Sequence, residues 1–96
     1  MTSKQRAYLR GLANHLEAIF QIGKAGITDI FVAQISDVLE ARELIKISVL
    51  ETAPDSVRNL AEELASKTDS IVVQTVGNKI TLYRPRKKDS KIVLPK

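Results

Sequence analysis

The sequence predicts one α/β domain with the element order α-β-α-β-α-β-β and a four-stranded mixed sheet. Helical and strand periodicities of apolar residues alternate along the chain, which is typical of a sheet whose strands are connected by helices. Gly-Asn at residues 77–78 separates the last two strand patterns and favours a two-residue hairpin turn. The chain has 96 residues, a length that allows one domain core and leaves no room for a second.

The first helix is predicted from Ser3 to about Leu16, because apolar residues recur at helical spacing there. Thr2 and Gln5 precede this pattern with the spacing of a capping box. The short apolar run at residues 18–22 follows, and its length and composition are typical of a buried strand.

A glycine segment at residues 23–26 leads into the second helix. Thr28 and Asp29 are good N-cap residues, so the helix is predicted to begin there and to end near Glu43. Residues 44–50 then alternate β-branched apolar side chains with other residues, which predicts the second strand.

The third helix is predicted to follow Pro54 and to end near Lys67. Residues 71–76 and 80–83 form the hairpin strands, and the chain from Pro85 onward is interpreted as a basic tail. Right-handed crossovers place the first three strands parallel, and the hairpin adds one antiparallel strand.

The charges are unevenly distributed along the chain. The formal net charge is +4, but residues 1–26 carry +3, residues 27–76 carry −5 and residues 77–96 carry +6. A fold that brings both ends to one side would create a strongly basic face, which is typical of proteins that bind a phosphate backbone. A solvated basic tail is the alternative interpretation.

Composition excludes several function classes. The absence of cysteine excludes disulfides, thiolate catalysis and cysteine metal sites, and no segment resembles an export signal or a membrane span. We therefore expect a cytoplasmic protein. His15 is the only histidine and cannot form a metal site alone, and the acids Glu40, Glu43, Glu62 and Glu63 are expected to face solvent. We expect no catalysis, cofactor, metal, membrane contact or small-molecule substrate.

The glycine segment fits neither of two common nucleotide-binding motifs. A Walker A loop needs glycine where Ala18 stands and a hydroxyl residue where Ala25 stands. A dinucleotide-binding fingerprint needs glycine in the position of Gln21. Both kinds of site are therefore excluded.

The remaining interpretation is a G-x-x-G clamp for a sugar-phosphate backbone. Gly23 and Gly26 allow close approach of a ligand, Lys24 adds a mobile cation, and the helix that begins near Thr28 offers free N–H groups. A plain strand-to-helix turn explains the same glycines equally well.

Taken together, the motifs resemble the CRM domain in its bacterial stand-alone, YhbY-like form. The similar stretches are Lys4 to Ala13, Ile22 to Thr28 (IGKAGIT), Glu43 to Ile47 (ELIKI), Val76 to Pro85 (VGNKITLYRP) and Lys91 to Lys96 (KIVLPK). The resemblance implies a fold similar to the C-terminal domain of translation initiation factor three. It also implies RNA binding through the G-x-x-G loop and neighbouring basic residues, on precursors of the large ribosomal subunit. Family members often have His-Pro after the first helix, where this chain has His15-Leu16.

The leading hypothesis is therefore a monomeric domain, residues 1–96, that binds ribosomal RNA. The candidate RNA-binding residues are Arg6, Arg10, Gly23, Lys24, Ala25, Gly26, Thr28, Lys46, Arg84, Arg86, Lys87 and Lys88. Stacking of a base on Tyr8 or Tyr83 is a weaker expectation than a partly buried ring. The alternatives are a dimeric, Alba-type architectural DNA-binding protein and a protein-interaction module that docks through its acidic middle segment.

Overall fold

The computed structural model describes residues 1–96 and confirms the α/β class and the element order. Its elements are α1 (Ser3–Ala13), β1 (Ala18–Ile22), α2 (Asp29–Arg42), β2 (Leu44–Val49), α3 (Val57–Thr68), β3 (Ile71–Val76) and β4 (Lys79–Tyr83). None of these helices combines the length and the apolar character that a membrane crossing requires.

Each helix begins at a hydroxyl side chain. The hydroxyls of Thr2, Thr28 and Ser56 each accept a hydrogen bond, at 3.1 Å, from the backbone N–H three residues further on. These bonds satisfy N–H groups that the helix itself leaves unpaired. At its other end α1 stops at Ala13 rather than Leu16, because the N–H of Leu16 bonds to the Ala13 carbonyl in a tighter turn.

The strands lie in the order β1-β2-β4-β3. β1 and β2 are parallel, and β4 is antiparallel to both of its neighbours, so the first three strands share one direction as predicted. The hairpin turn has a positive φ of 58° at Gly77 and none at Asn78, which is the pattern of a type II′ turn. β4 folds back between β2 and β3 and thereby separates the two strands that α3 connects.

The sheet has helices on both faces. α2 and α3 cover a core of 12 buried residues that includes Ile47, Leu64 and Leu82. α1 covers a smaller core on the opposite face, which consists of Leu9, Ala13, Leu44, Val73 and Tyr83. The domain therefore has three layers, and the two faces of the sheet belong to different cores.

β1 is an edge strand, so the expectation that it is buried was wrong. Gln21 is exposed, and Ile19 keeps 39% of its surface accessible. The physical reason is that β1 has only one neighbouring strand, while α1 packs on β2 and β3 and leaves one face of β1 uncovered.

Residues 85–96 contain no helix or strand, yet they pack against the domain. Ile92 and Leu94 lie on the core beneath α1, and the side-chain amide of Gln5 donates to the Pro95 carbonyl at 3.1 Å. The segment predicted as a basic tail is therefore folded onto α1, and the two chain ends meet on one face.

Candidate nucleic-acid interface

Residues 23–26, named the glycine loop here, connect β1 to α2. The N–H of Gly26 donates to the Gly23 carbonyl at 2.9 Å and closes a tight turn with Lys24 and Ala25 exposed at its tip. Gly26 has a φ of +69°, a conformation that other residues adopt only with strain. The loop thus presents one cation and bare backbone to solvent.

Both glycines pack against the protein, but only Gly26 does so closely. A Cβ on Gly26 would lie 3.0 Å from Pro54 Cγ, and one on Gly23 would lie 3.5 Å from Leu50 Cδ1. Both neighbours belong to the connection between β2 and α3. The glycine loop therefore lies against this connection, and Gly26 has a structural function whether or not a ligand approaches it, whereas Gly23 has room for a Cβ.

Thr28 marks the end of the loop and caps α2. Its hydroxyl accepts a hydrogen bond from the N–H of Phe31, as the sequence predicted for an N-cap, so its oxygen already has a protein partner. Asp29 follows in the first turn and stabilises the positive end of the helix dipole. Its carboxylate also repels an anionic ligand, such as a phosphate, that approaches this end of the helix.

Arg84 is occupied by intramolecular hydrogen bonds and one ion pair. Its guanidinium donates to the Ser36 hydroxyl at 3.0 Å, the Ser36 carbonyl at 2.7 Å and the Thr68 carbonyl at 2.8 Å. It also pairs with Glu40 at 3.5 Å, and its side chain is only 19% exposed. Arg84 therefore ties the end of β4 to both α2 and α3, a role that the sequence did not predict.

Arg6 is likewise occupied by intramolecular bonds. Its Nη1 donates to the carbonyls of Val72 and Val73 at 2.6 and 3.0 Å, where β3 has a bulge. β3 is an edge strand, so one side of its backbone has no partner strand. Arg6 joins α1 to this edge, whereas Arg10, one turn later, is exposed.

The glycine loop and the basic residues 86–88 lie at opposite ends of the sheet. The loop follows Ile22, which pairs with Val49 at the end of β2, whereas residues 86–88 follow Tyr83, which pairs with Leu44 at its start. The six residues of β2 separate the two ends by about 17 Å. They do not lie at the same end of the sheet, because β4 runs antiparallel to β1.

Two lysines lie on the face of the sheet that α1 partly covers. Lys46 shares this face with Leu44 and is half-buried, and Lys79 donates to the Ser48 hydroxyl at 2.8 Å. Lys46 pairs in register with Thr81, and Ser48 pairs with Lys79, so the two lysines are diagonal neighbours. Lys79 was not among the predicted RNA-binding residues, although alternation along β4 places it on the same face as Tyr83.

Charge is unevenly divided among the elements of the domain, although Lys87 lines a cavity together with Glu40 and Asp69. α1 and residues 85–96 together contain eight cationic side chains, three in α1 and five in the C-terminal segment, and one acid, Asp89. α2 and α3 contain five acids and three cations. The ion pairs all use acids of α2 or α3, namely Glu40, Glu62 and Glu63. We name α1, residues 85–96, Lys46 and Lys79 the basic face.

Comparison with known proteins agrees with this architecture. A family model described as the CRS1/YhbY (CRM) domain matches residues 1–84. The chain belongs to the CRM domain family. It is similar to the probable RNA-binding protein YqeI of Bacillus subtilis, with 46% identity over 95 residues and 99% of each chain covered. A Haemophilus influenzae RNA-binding protein is 33% identical, with 100% of this chain and 96% of the relative covered.

A solved structure shows the same CRM fold. The solution structure of a hypothetical Staphylococcus aureus protein, described as a candidate RNA-binding protein, has a TM-score of 0.82 to this chain and 47% sequence identity. The match covers 99% of both chains, so it includes residues 85–96, which lie beyond the family model.

The expectation that Glu43 of this CRM domain faces solvent was wrong. It is only 1% exposed, and its carboxylate accepts hydrogen bonds of 2.6 Å from the Ser90 hydroxyl and the Lys91 N–H. Burial raises the pKa of this carboxyl, but the bonds from Ser90, Lys91 and further backbone N–H groups outweigh burial and lower the pKa below its usual value. Glu40, Glu62 and Glu63 are exposed as expected, but Glu43 fixes the C-terminal segment and cannot join an acidic docking surface.

The aromatic rings of the CRM domain offer little stacking surface. Tyr83 is 3% exposed, and burial together with the charge of Glu43 raises the pKa of its hydroxyl. The expectation of a buried ring is therefore confirmed for Tyr83, whereas Tyr8 is 42% exposed. His15 is exposed in the turn after α1, and no group of three or more metal-ligating side chains occurs in the domain.

Proposed function

We propose that this CRM domain is a non-enzymatic RNA-binding protein that contacts the RNA backbone with its glycine loop and its basic face. The observation that carries the proposal is the uneven division of charge described above. Cations of the basic face have no acidic partner in the domain, whereas the acids of the opposite side form its ion pairs. Two relatives that this chain matches over nearly their full lengths are named as RNA-binding proteins, and their names support the same function.

The contacts differ in kind between the two parts of the interface. In the glycine loop, Gly23, Ala25 and Gly26 present backbone, and Lys24 supplies the charge. Thr28 shapes the end of the loop through its cap. On the basic face the phosphate-binding side chains are Arg10, Lys46, Lys79, Arg86, Lys87 and Lys88. Arg6 and Arg84 support this surface by holding β3 and β4 in place.

Electrostatics dictates how the affinity depends on salt. Each phosphate that a lysine or arginine neutralises releases condensed counterions, so log affinity falls with log salt by about 0.7 per phosphate for a single strand. An RNA that reaches from the glycine loop to residues 86–88 spans the length of β2, about 17 Å. The protein then contacts several phosphates of this RNA, and the affinity depends steeply on salt.

Fluorescence anisotropy with a labelled ribosomal RNA fragment at two salt concentrations tests the proposal. We expect Lys24→Glu and the double variant Lys87→Glu, Lys88→Glu each to weaken binding and to reduce its salt dependence. Lys67→Glu is the matched control, because Lys67 is exposed and paired with Glu63 on the acidic side. Affinity that is unchanged between the two salt concentrations would refute backbone binding.

We further propose that the bound RNA belongs to a precursor of the large ribosomal subunit and that the protein acts there as a monomer in the cytoplasm. The resemblance to stand-alone bacterial CRM proteins supports this assignment. Sucrose-gradient sedimentation of lysate that contains the tagged protein tests it. We expect the protein to sediment with large-subunit precursors and the Lys87→Glu, Lys88→Glu variant to remain near the top. A wild-type protein that stays at the top in low salt would contradict the assignment.

A further inference from the structure

A cavity of about 480 Å³ opens beside the glycine loop. It lies at the carboxyl end of β2, between the hairpin turn and the connection from β2 to α3. Its apolar lining consists of Val49, Leu50, Ala53 and Val57, and its polar lining consists of Glu51, Asp55, Ser56 and Asn78. The cavity is on the acidic side of the loop and is separate from the basic face.

Leu50 joins the cavity to the glycine loop. Its N–H donates to the Ile22 carbonyl at 2.8 Å, and its Cδ1 lies 3.5 Å from the position of a Cβ on Gly23. Leu50 is nevertheless 40% exposed, and Ile30 and Val76 at the same end of the sheet are 73% and 61% exposed. An RNA strand held by the loop therefore passes directly beside exposed apolar side chains.

The polar lining of the cavity contains two carboxylates and no cation. Asp55 Oδ1 accepts from the Ser56 N–H at 2.7 Å and from Asn59 Nδ2 at 3.0 Å, and the Ser56 hydroxyl accepts from the Asn59 N–H. The amide of Asn78 donates to the Val49 carbonyl at 3.2 Å. The carboxylates of Glu51 and Asp55 repel phosphate, so the cavity suits an uncharged group that has an apolar surface and N–H donors.

Glu51 is the acid in this lining whose side chain has no partner in the domain. It is exposed and makes no side-chain hydrogen bond or ion pair in the domain. A carboxylate has two acceptor oxygens and can accept two parallel N–H bonds from one planar partner. A ligand with two adjacent N–H donors therefore matches Glu51 best.

We propose that this cavity binds one unpaired nucleobase, with its ring against Leu50 and its N–H donors on Glu51, and that it thereby selects guanine. The inference rests on the proposed RNA binding. Guanine offers two adjacent donors, N1–H and the N2 amino group, on its Watson–Crick edge. Uracil offers one donor between two carbonyl oxygens that a carboxylate repels, and adenine and cytosine offer an amino group beside an acceptor. Because the Watson–Crick edge is used, the base must be unpaired.

Anisotropy with three short labelled RNAs tests the cavity: oligouridine, oligouridine with a central guanine, and the guanine strand annealed to its complement. We expect wild-type protein to bind the guanine single strand about tenfold more tightly than oligouridine. Glu51→Gln removes this preference, yet it raises the affinity for oligouridine because it removes a negative charge near the phosphates. Glu62→Gln, an exposed acid of α3, is the matched control and leaves the preference intact.

The outcomes separate this inference from the proposed function. Equal affinity of the wild type for both single strands, or a Glu51→Gln variant that binds both more tightly by the same factor, refutes base selection while RNA binding stands. Failure to bind any RNA at low salt refutes the proposed function itself. A lysine-rich peptide that binds the wild type and not Glu51→Gln, without competing with RNA, would assign the cavity to a basic protein partner and overturn the inference.

Discussion

Substitution of the two loop glycines separates their structural function from their proposed function in RNA binding. Gly26→Ala places a Cβ in a left-handed conformation, with a φ of +69°, and 3.0 Å from Pro54 Cγ. The conformation costs about 1–2 kcal/mol, and relief of the contact requires only a small shift of the proline ring. Gly23→Ala meets no atom closer than 3.5 Å and has no left-handed φ, so it changes stability by less than about 0.5 kcal/mol.

Urea unfolding followed by circular dichroism measures this difference. With a slope of about 1 kcal/mol per molar urea, Gly26→Ala lowers the midpoint by roughly 1–2 M, and Gly23→Ala leaves it nearly unchanged. Fluorescence anisotropy of labelled RNA with the folded Gly23→Ala protein then tests whether the RNA must approach the protein backbone closely at this position. We expect weaker binding. Equal midpoints for the two variants would refute the conformational reasoning. Unchanged RNA affinity of Gly23→Ala would show that RNA binding does not need close backbone approach at this position.

Three further outcomes are expected. Glu43→Gln destabilises the domain by about 2 kcal/mol at neutral pH, because the buried charge accepts hydrogen bonds from Ser90 and Lys91. The folded-state pKa of Glu43 is lowered, so its contribution is fully present above the usual glutamate pKa and is lost as pH falls from there through the lowered folded-state pKa. The difference between the urea midpoints of the two proteins should therefore shrink as the pH falls below the usual glutamate pKa, and a constant difference would contradict this cause. Arg84→Ala costs roughly 2–3 kcal/mol because it removes hydrogen bonds to Ser36 and Thr68, whereas Lys87→Ala, on an exposed side chain, changes the midpoint little. Lys79→Glu weakens RNA binding at least as much as Lys46→Glu does, and Lys67→Glu does not; equal RNA affinity of all three variants in anisotropy would remove the two sheet lysines from the interface.

The local elements of this protein were predictable because their signals act within a few residues. The capping box of Thr2 and Gln5 closes within one helical turn, and the cap at Thr28 bonds three residues ahead. The Gly-Asn turn joins two strands that are adjacent in sequence. Such contacts need no information about the rest of the chain, and they place the glycine loop correctly between β1 and α2.

The composition of the basic face was also visible in the sequence, because the charges concentrate at the two chain ends. The basic face forms only if the two chain ends meet. In the structure they meet because Ile92 and Leu94 pack beneath α1. The antiparallel direction of β4, which the predicted hairpin implies, places residues 86–88 at the opposite end of the sheet from the glycine loop. The insertion of β4 between β2 and β3 was not visible in the sequence.

The sequence by itself determined the element order, the helix starts and the charge content of each segment. Tertiary structure alone decided which charged groups remain free for a ligand. Arg84 and Glu43 look like surface residues in the sequence, yet their partners Ser36 and Ser90 lie 48 and 47 residues away. A charged side chain enters the interior only where packing supplies hydrogen bonds that offset its lost hydration, and the chain acquires those partners only when the layers of the fold come together.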